Sequence, residues 1–243
     1  MKIFFVLLFL LASLSQLSVA VEKESSEEEI SEKRQSFTLA VLPDTQFYCD
    51  TRLKLSQKWG NGDLSHYFFE QTRWVRDNQK RLNIAFLVHE GDIVQADAPE
   101  EWAIAKEAMS ILDGHVPYCL CLGNHDMGFQ KSNNKYGGDI AVNRTTHFNK
   151  YFPREKYAKT KEFGGTFDPK RHDNSWHHFD AAGMKFLIVS LECKPRDEVL
   201  AWANKVVGNH PEHRAIVLTH AYMGANGKRF LRLGYKIKGN AGE

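Results

Sequence analysis

Seven residues in four short stretches carry side chains that could do chemistry together. "PDTQ" supplies Asp44 and Gln46, and "HEGDIV" supplies Asp92 behind a glycine. "GNHD" supplies Asn124, His125 and Asp126, and "THAY" supplies His220. Each has an ordinary explanation when taken singly. Asp44 or Asn124 alone is a turn former or helix cap, and a lone histidine is a core or surface residue. Together they form a donor set of oxygen and imidazole ligands suited to zinc, manganese or iron. A carboxylate such as Asp92 can bridge two cations with its two oxygens. A pair of cations about 3.5–4 Å apart can clamp an in-line displacement at phosphorus and acidify a bridging water until it is hydroxide near neutral pH.

The elements around these stretches decide whether the set can converge. "FTLAVLP", "NIAFLVH" and "VPYCLCL" have the length and β-branched or aromatic content of strands, as do the later "KFLIVSLE" and "RAIVLTH". "SHYFFEQTRWVRDNQKRL" places Phe68, Val75 and Leu82 on one helical face, and "PEEWAIAKEAMSILDG" does the same for Trp102, Ala105, Met109 and Leu112. "PRDEVLAWANKVVGNH" reads as a further helix with Val199, Trp202 and Val206 as its stripe. Strand and helix alternate, which predicts βαβ units and a largely parallel sheet. Ligands bind outside the carboxyl ends of such strands, and all four stretches stand at strand ends. Residues 127–180 break the rhythm and read as a long loop excursion, with at most a short helix near Thr146 to Tyr151.

"PDTQ", "GD", "GNHD" and "TH", in this order and on these strands, resemble the calcineurin-like metallophosphoesterase superfamily, and the stretch from Trp176 to Tyr222 resembles its secreted bacterial-type members. The resemblance runs from about Phe37 to the end of the chain. It implies a four-layer α/β/β/α metallophosphoesterase sandwich and two divalent or trivalent metal ions (Mn, Zn or Fe). Asp44 and Gln46 would bind the first ion, Asp92 would bridge, and Asn124 and His220 would bind the second. His125 would donate a proton to the leaving oxygen or steady the transferring phosphoryl group, with Asp126 orienting and polarising it.

Two departures accompany the match. Gln46 stands where the family most often has a histidine, and an amide oxygen binds a transition metal less firmly than imidazole. The family's closing Gly-His-X-His does not follow His220. The sandwich is therefore expected to be incomplete at its C-terminus, the chain a fragment or truncated product, and residues 1–243 alone to show poor metal affinity and low or no activity.

The remaining sequence sets the context. "MKIFFVLLFLLASLSQLSVA" has the basic start, apolar run and small-X-small ending of a secretory signal peptide, with cleavage expected after Ala20. Residues 21–36 form an acidic, solvated leader, and 37–243 the phosphoesterase domain. The mature chain is expected to be secreted or periplasmic, with no membrane span after cleavage. A formal charge of +2 offers nothing to draw a nucleic acid. Cys49, Cys119, Cys121 and Cys193 read as unpaired core thiols, Cys49 to Cys193 being the least implausible bridge. His89 reads as packing. In "NSWHHF" His177 and His178 straddle a strand, one pointing in and one out, and with Asn174 they read as solvated loop residues within reach of substrate. Glu192 reads as a strand-end residue near the site, and His147 and His172 as surface or capping residues. The expected activity is hydrolysis of a phosphate ester, mono or di. The alternative is a non-catalytic binding protein or inactive fragment on a degenerate phosphoesterase scaffold.

Overall fold

The computed structural model describes residues 36–51, 62–127, 129–130, 135–136 and 146–222. The expected signal peptide and all but the last residue of the expected acidic leader lie outside them, as do most of residues 128–145 and everything after Tyr222. Among the described residues no helix is long and apolar enough to cross a membrane.

Two sheets carry the fold. In the first, β1 (Thr38–Leu42), β2 (Ile84–His89) and β3 (Tyr118–Leu120) run parallel in that order. In the second, β6 (Phe163–Thr166), β7 (Ser175–Ala181), β8 (Met184–Leu191) and β9 (Arg214–Thr219) lie side by side, the first three antiparallel and the last pair parallel. A two-residue pairing of β4 (Phe129–Gln130) with β5 (Lys135–Tyr136) stands apart from both. The helices are α1 (Gln46–Cys49), α2 (Ser65–Asn78), α3 (Pro99–Ser110), α4 (Thr146–Tyr151), α5 (Arg154–Tyr157) and α6 (Asp197–Gly208).

Alternation along the strands builds the layers. Leu87 and Leu120 face α2 and α3 and join Phe68, Val75, Trp102, Ala105 and Met109 in one core. Phe86, Val88, Cys119 and Cys121 point the other way, against Phe179, Phe186 and Ile188 of the second sheet. On that sheet's outer side Leu187, Val189 and Leu191 pack on Val199, Ala203 and Val206 of α6. The result is helix, sheet, sheet, helix, the α/β/β/α sandwich. Strands covered on both faces must be apolar at every position, which is why these runs read as continuous. Each fully buried large side chain contributes about 1.5–3 kcal/mol.

All four cysteines are buried free thiols, as the sequence indicated. Cys119 and Cys121 share the inter-sheet face, while Cys49 lies in the helix-side core and Cys193 beside Met127, and the bridge between them is not formed. Leu82 and Leu112 extend the predicted stripes just past the ends of α2 and α3, packing on the same core.

The excursion is where the sequence misleads. The short helix expected near Thr146 to Tyr151 is present as α4, but residues 127–180 are more than loop: they also supply α5 and two strands of the second sheet. Strand β6 carries Gly164, where a Cβ would come within 2.2 Å of the Trp176 indole, so the residue that makes room for a neighbour also erases the strand signal. Strand β7 places His177 inward among Phe86, Tyr157 and Phe163. His172 is likewise fully buried, stacked on Tyr157 at 4.0 Å. These two histidines, and the buried Asn174, are therefore core residues rather than solvated ones.

Candidate functional site

The parallel strands of both sheets open at one edge. Ser190 Oγ donates to Leu120 O at 3.0 Å and Cys121 Sγ to Leu191 O at 3.1 Å, so β3 and β8 end side by side across the sandwich. Leu42, His89 and Leu120 are level in the first sheet, and Leu191 and Thr219 in the second. Whatever follows these residues must meet its counterparts from the other sheet.

Asp44, Asp92 and His220 meet there, with ligand atoms all within 4.8 Å of one another. Asp92 takes a left-handed backbone (φ 47°) after Gly91 (φ 96°), which turns β2 sharply into the site. Its Oδ1 accepts from His125 N at 2.9 Å, and its Oδ2 lies 3.3 Å from His220 Nε2. His220 donates from Nδ1 to Glu90 O at 2.9 Å, so Nε2 is the nitrogen that would bind a cation. Burial pushes His220 down, but the hydrogen bond and charge of Asp92, with Glu90 O and Asp44, outweigh it and raise its pKa to about 9. Burial raises Asp44 while His220 pulls it back.

Gln46 opens α1 two residues beyond Asp44. It is buried, and its amide oxygen has no hydrogen-bond partner among the described residues. An unmet buried acceptor costs about 1–3 kcal/mol, and a cation would satisfy it. Asn124 sits half-buried between Gly123 and His125 on the turn that holds Asp92. Carboxylate, amide and imidazole donors of this kind fit Mn, Zn or Fe.

His125 donates from Nδ1 to Gln95 O at 2.8 Å. Asp126, expected to orient His125, works elsewhere. Its Oδ1 accepts from Ile93 N and Val94 N at 2.8 and 3.0 Å, and its Oδ2 from Gly123 N at 2.7 Å. Burial and the neighbouring Asp92 charge raise its pKa to about 8, against the pull of these donors. Asp126 thus staples the loop after β2 to the turn after β3, and the Gln95 carbonyl of that loop orients the imidazole. Main-chain partners leave no mark in sequence, so this role was illegible there.

The other flagged residues are structural. His89 is buried and neutral, its pKa brought down to about 3 chiefly by burial and further by the charge of His220. Gly91 N donates to its Nδ1, its Nε2 to Thr45 Oγ1, and Thr45 Oγ1 on to Ile93 O. Glu192 is fully buried and engaged with Asn174 and Arg196. A cavity of about 850 Å³ opens at the opposite edge of the sheets, among Ile84, Pro117, Lys156 and Phe179; Asp44, Asp92 and His220 do not line it.

The family described as calcineurin-like phosphoesterase matches residues 38–236. The protein YvnB of Bacillus subtilis (strain 168) is 31% identical over 220 residues, covering 88% of this chain. The chain spans only 14% of that relative's length. The purple acid phosphatase PPD1 from yellow lupin (Lupinus luteus) seeds is 15% identical, with a TM-score of 0.44 over 78% of this chain and 32% of its own.

Proposed function

The chain belongs to the calcineurin-like phosphoesterase family, and from that membership we propose that it is an exported, metal-dependent hydrolase of phosphomonoesters or phosphodiesters. One observation carries the reading: Asp44, Asp92 and His220, from strand ends in two different sheets, bring their ligand atoms within 4.8 Å. Asp44, Gln46, Asp92, Asn124 and His220 would hold two cations, with Asp92 between them. Bound cations would supply charge neutralisation at the phosphoryl group and acidify the attacking water.

The chain's own residues do the rest. Asp92 is held by His125 N and His220, so both its oxygens are fixed before a cation arrives. With its Nδ1 proton committed to Gln95 O, His125 has Nε2 to face the ester, where it can hand a proton to the departing oxygen. Asp126 keeps Gln95 in place through the loop it staples. Lys2, the apolar run and Ser18-Val19-Ala20 support export.

The test is to load the purified chain with manganese and follow nitrophenyl phosphate and bis(nitrophenyl) phosphate. The expected result is turnover, even if slow, that is lost with chelator, with Asp92→Asn and with His125→Ala. Bound manganese without turnover of either ester would establish a binding protein instead.

A further inference from the structure

The loop that carries Gln95 holds a second imidazole. His147, the second residue of α4, donates from Nδ1 to Asp97 O at 2.8 Å, with Asp97 Oδ1 at 3.2 Å. Asp97 is set for this contact. Its backbone is left-handed (φ 53°), and its Oδ1 also accepts from Trp102 Nε1 at 2.7 Å. Helix α4 is fixed in turn by Phe148 and Phe152, both fully buried with rings 5.9 and 6.1 Å from Trp102.

The arrangement repeats that of His125. Each ring gives its Nδ1 proton to a main-chain carbonyl of one loop, His125 to Gln95 O and His147 to Asp97 O. Two residues of chain span at most about 7 Å, so both anchors lie on one short stretch of the same loop. The His147 side chain is 35% exposed, and its Nε2 takes no hydrogen bond among the described residues.

We propose that His147 is a substrate-binding residue, its Nε2 hydrogen-bonding a phosphoryl or leaving-group oxygen of the ester held at His125. This rests on the phosphoesterase reading and adds a residue to its substrate side.

The test compares the full-length chain with His147→Asn and His147→Gln. Asparagine keeps an N–H at the Nδ1 position for Asp97 O and removes Nε2; glutamine keeps a group nearer the Nε2 position. Inorganic phosphate binding to the manganese-loaded proteins is measured by calorimetry, with manganese affinity, thermal midpoint and KM for nitrophenyl phosphate alongside. Asparagine is expected to weaken phosphate and raise KM roughly tenfold or more, the worth of one hydrogen bond to a charged oxygen. Glutamine should recover part of this, and manganese affinity and midpoint should stay at wild type. Wild-type phosphate affinity and KM in His147→Asn would reduce His147 to a helix anchor and overturn the proposal alone. If the manganese-loaded wild type binds no phosphate and turns over neither ester, the phosphoesterase reading falls and takes this inference with it.

Discussion

Gly91 and Gly123 meet where β2 and β3 end, so closely that a Cβ on Gly91 would lie 2.6 Å from the Gly123 nitrogen and 3.0 Å from His220 Nδ1. A Cβ on Gly123 would lie 2.1 Å from both the nitrogen and Oδ1 of Asp92. The obstacles are mostly backbone, which cannot swing aside. The two glycines are the condition for bringing Asp92 and His220 together.

Gly123→Ala should therefore displace Asp92. Overpacking of this kind costs about 1–3 kcal/mol, and manganese affinity should fall with stability. Gly208→Ala is the control: it lies at the end of α6 with open space around it, so it should be neutral or stabilising by up to about 1 kcal/mol. Urea unfolding and manganese titration of both variants check this. Equal behaviour would mean that the contact at Gly123 relaxes at no cost.

Asp126→Asn tests the staple. Asparagine keeps the shape but turns one acceptor into a donor facing main-chain N–H groups. The expected loss is about 1–3 kcal/mol, with kcat falling further than KM rises as Gln95 loosens its hold on His125. If Asp126 served His125 alone, stability would be unchanged.

The strand ends were legible because apolar runs lead into each, fixing where Asp44, Asp92, Asn124 and His220 emerge. A carboxylate's direction was not: "HD" reads the same whether Asp126 faces a neighbouring imidazole or three N–H groups of two other loops. His147 passed as a surface histidine because its partner, the Asp97 carbonyl, is backbone. His177 reads as solvated because imidazole counts as polar wherever it stands. Burial alone makes it behave as a core residue, and only the folded chain reveals burial.

That burial has a pH signature. Burial, helped by the charge of His178, brings the His177 pKa from its ordinary 6.5 down to about 3. Between those values the unfolded chain binds a proton that the folded chain refuses, so stability falls as pH drops through the window. At pH 5 one such histidine costs about 2 kcal/mol, and His172, pushed the same way by burial and His177, adds to it. His177→Phe, among aromatic neighbours, should lose about 2 kcal/mol less than wild type between pH 7 and pH 5. Urea unfolding at the two pH values gives the comparison, and parallel losses in both proteins would show that His177 is protonated when folded.

Gln46 offers a test in which two readouts should move in opposite directions. Its buried amide oxygen lacks a partner among the described residues, so replacing the group with an apolar one of similar size removes a cost rather than a contact. Gln46→Leu should leave the metal-free chain as stable as wild type or more so, by about 1 kcal/mol. With manganese at a hundred times its dissociation constant, wild type should gain about 2.7 kcal/mol through binding to the folded state, and the variant clearly less. Thermal unfolding with manganese and with chelator measures both effects. A variant destabilised without metal and unchanged in its response to manganese would make Gln46 a packing residue and remove it from the ligand set.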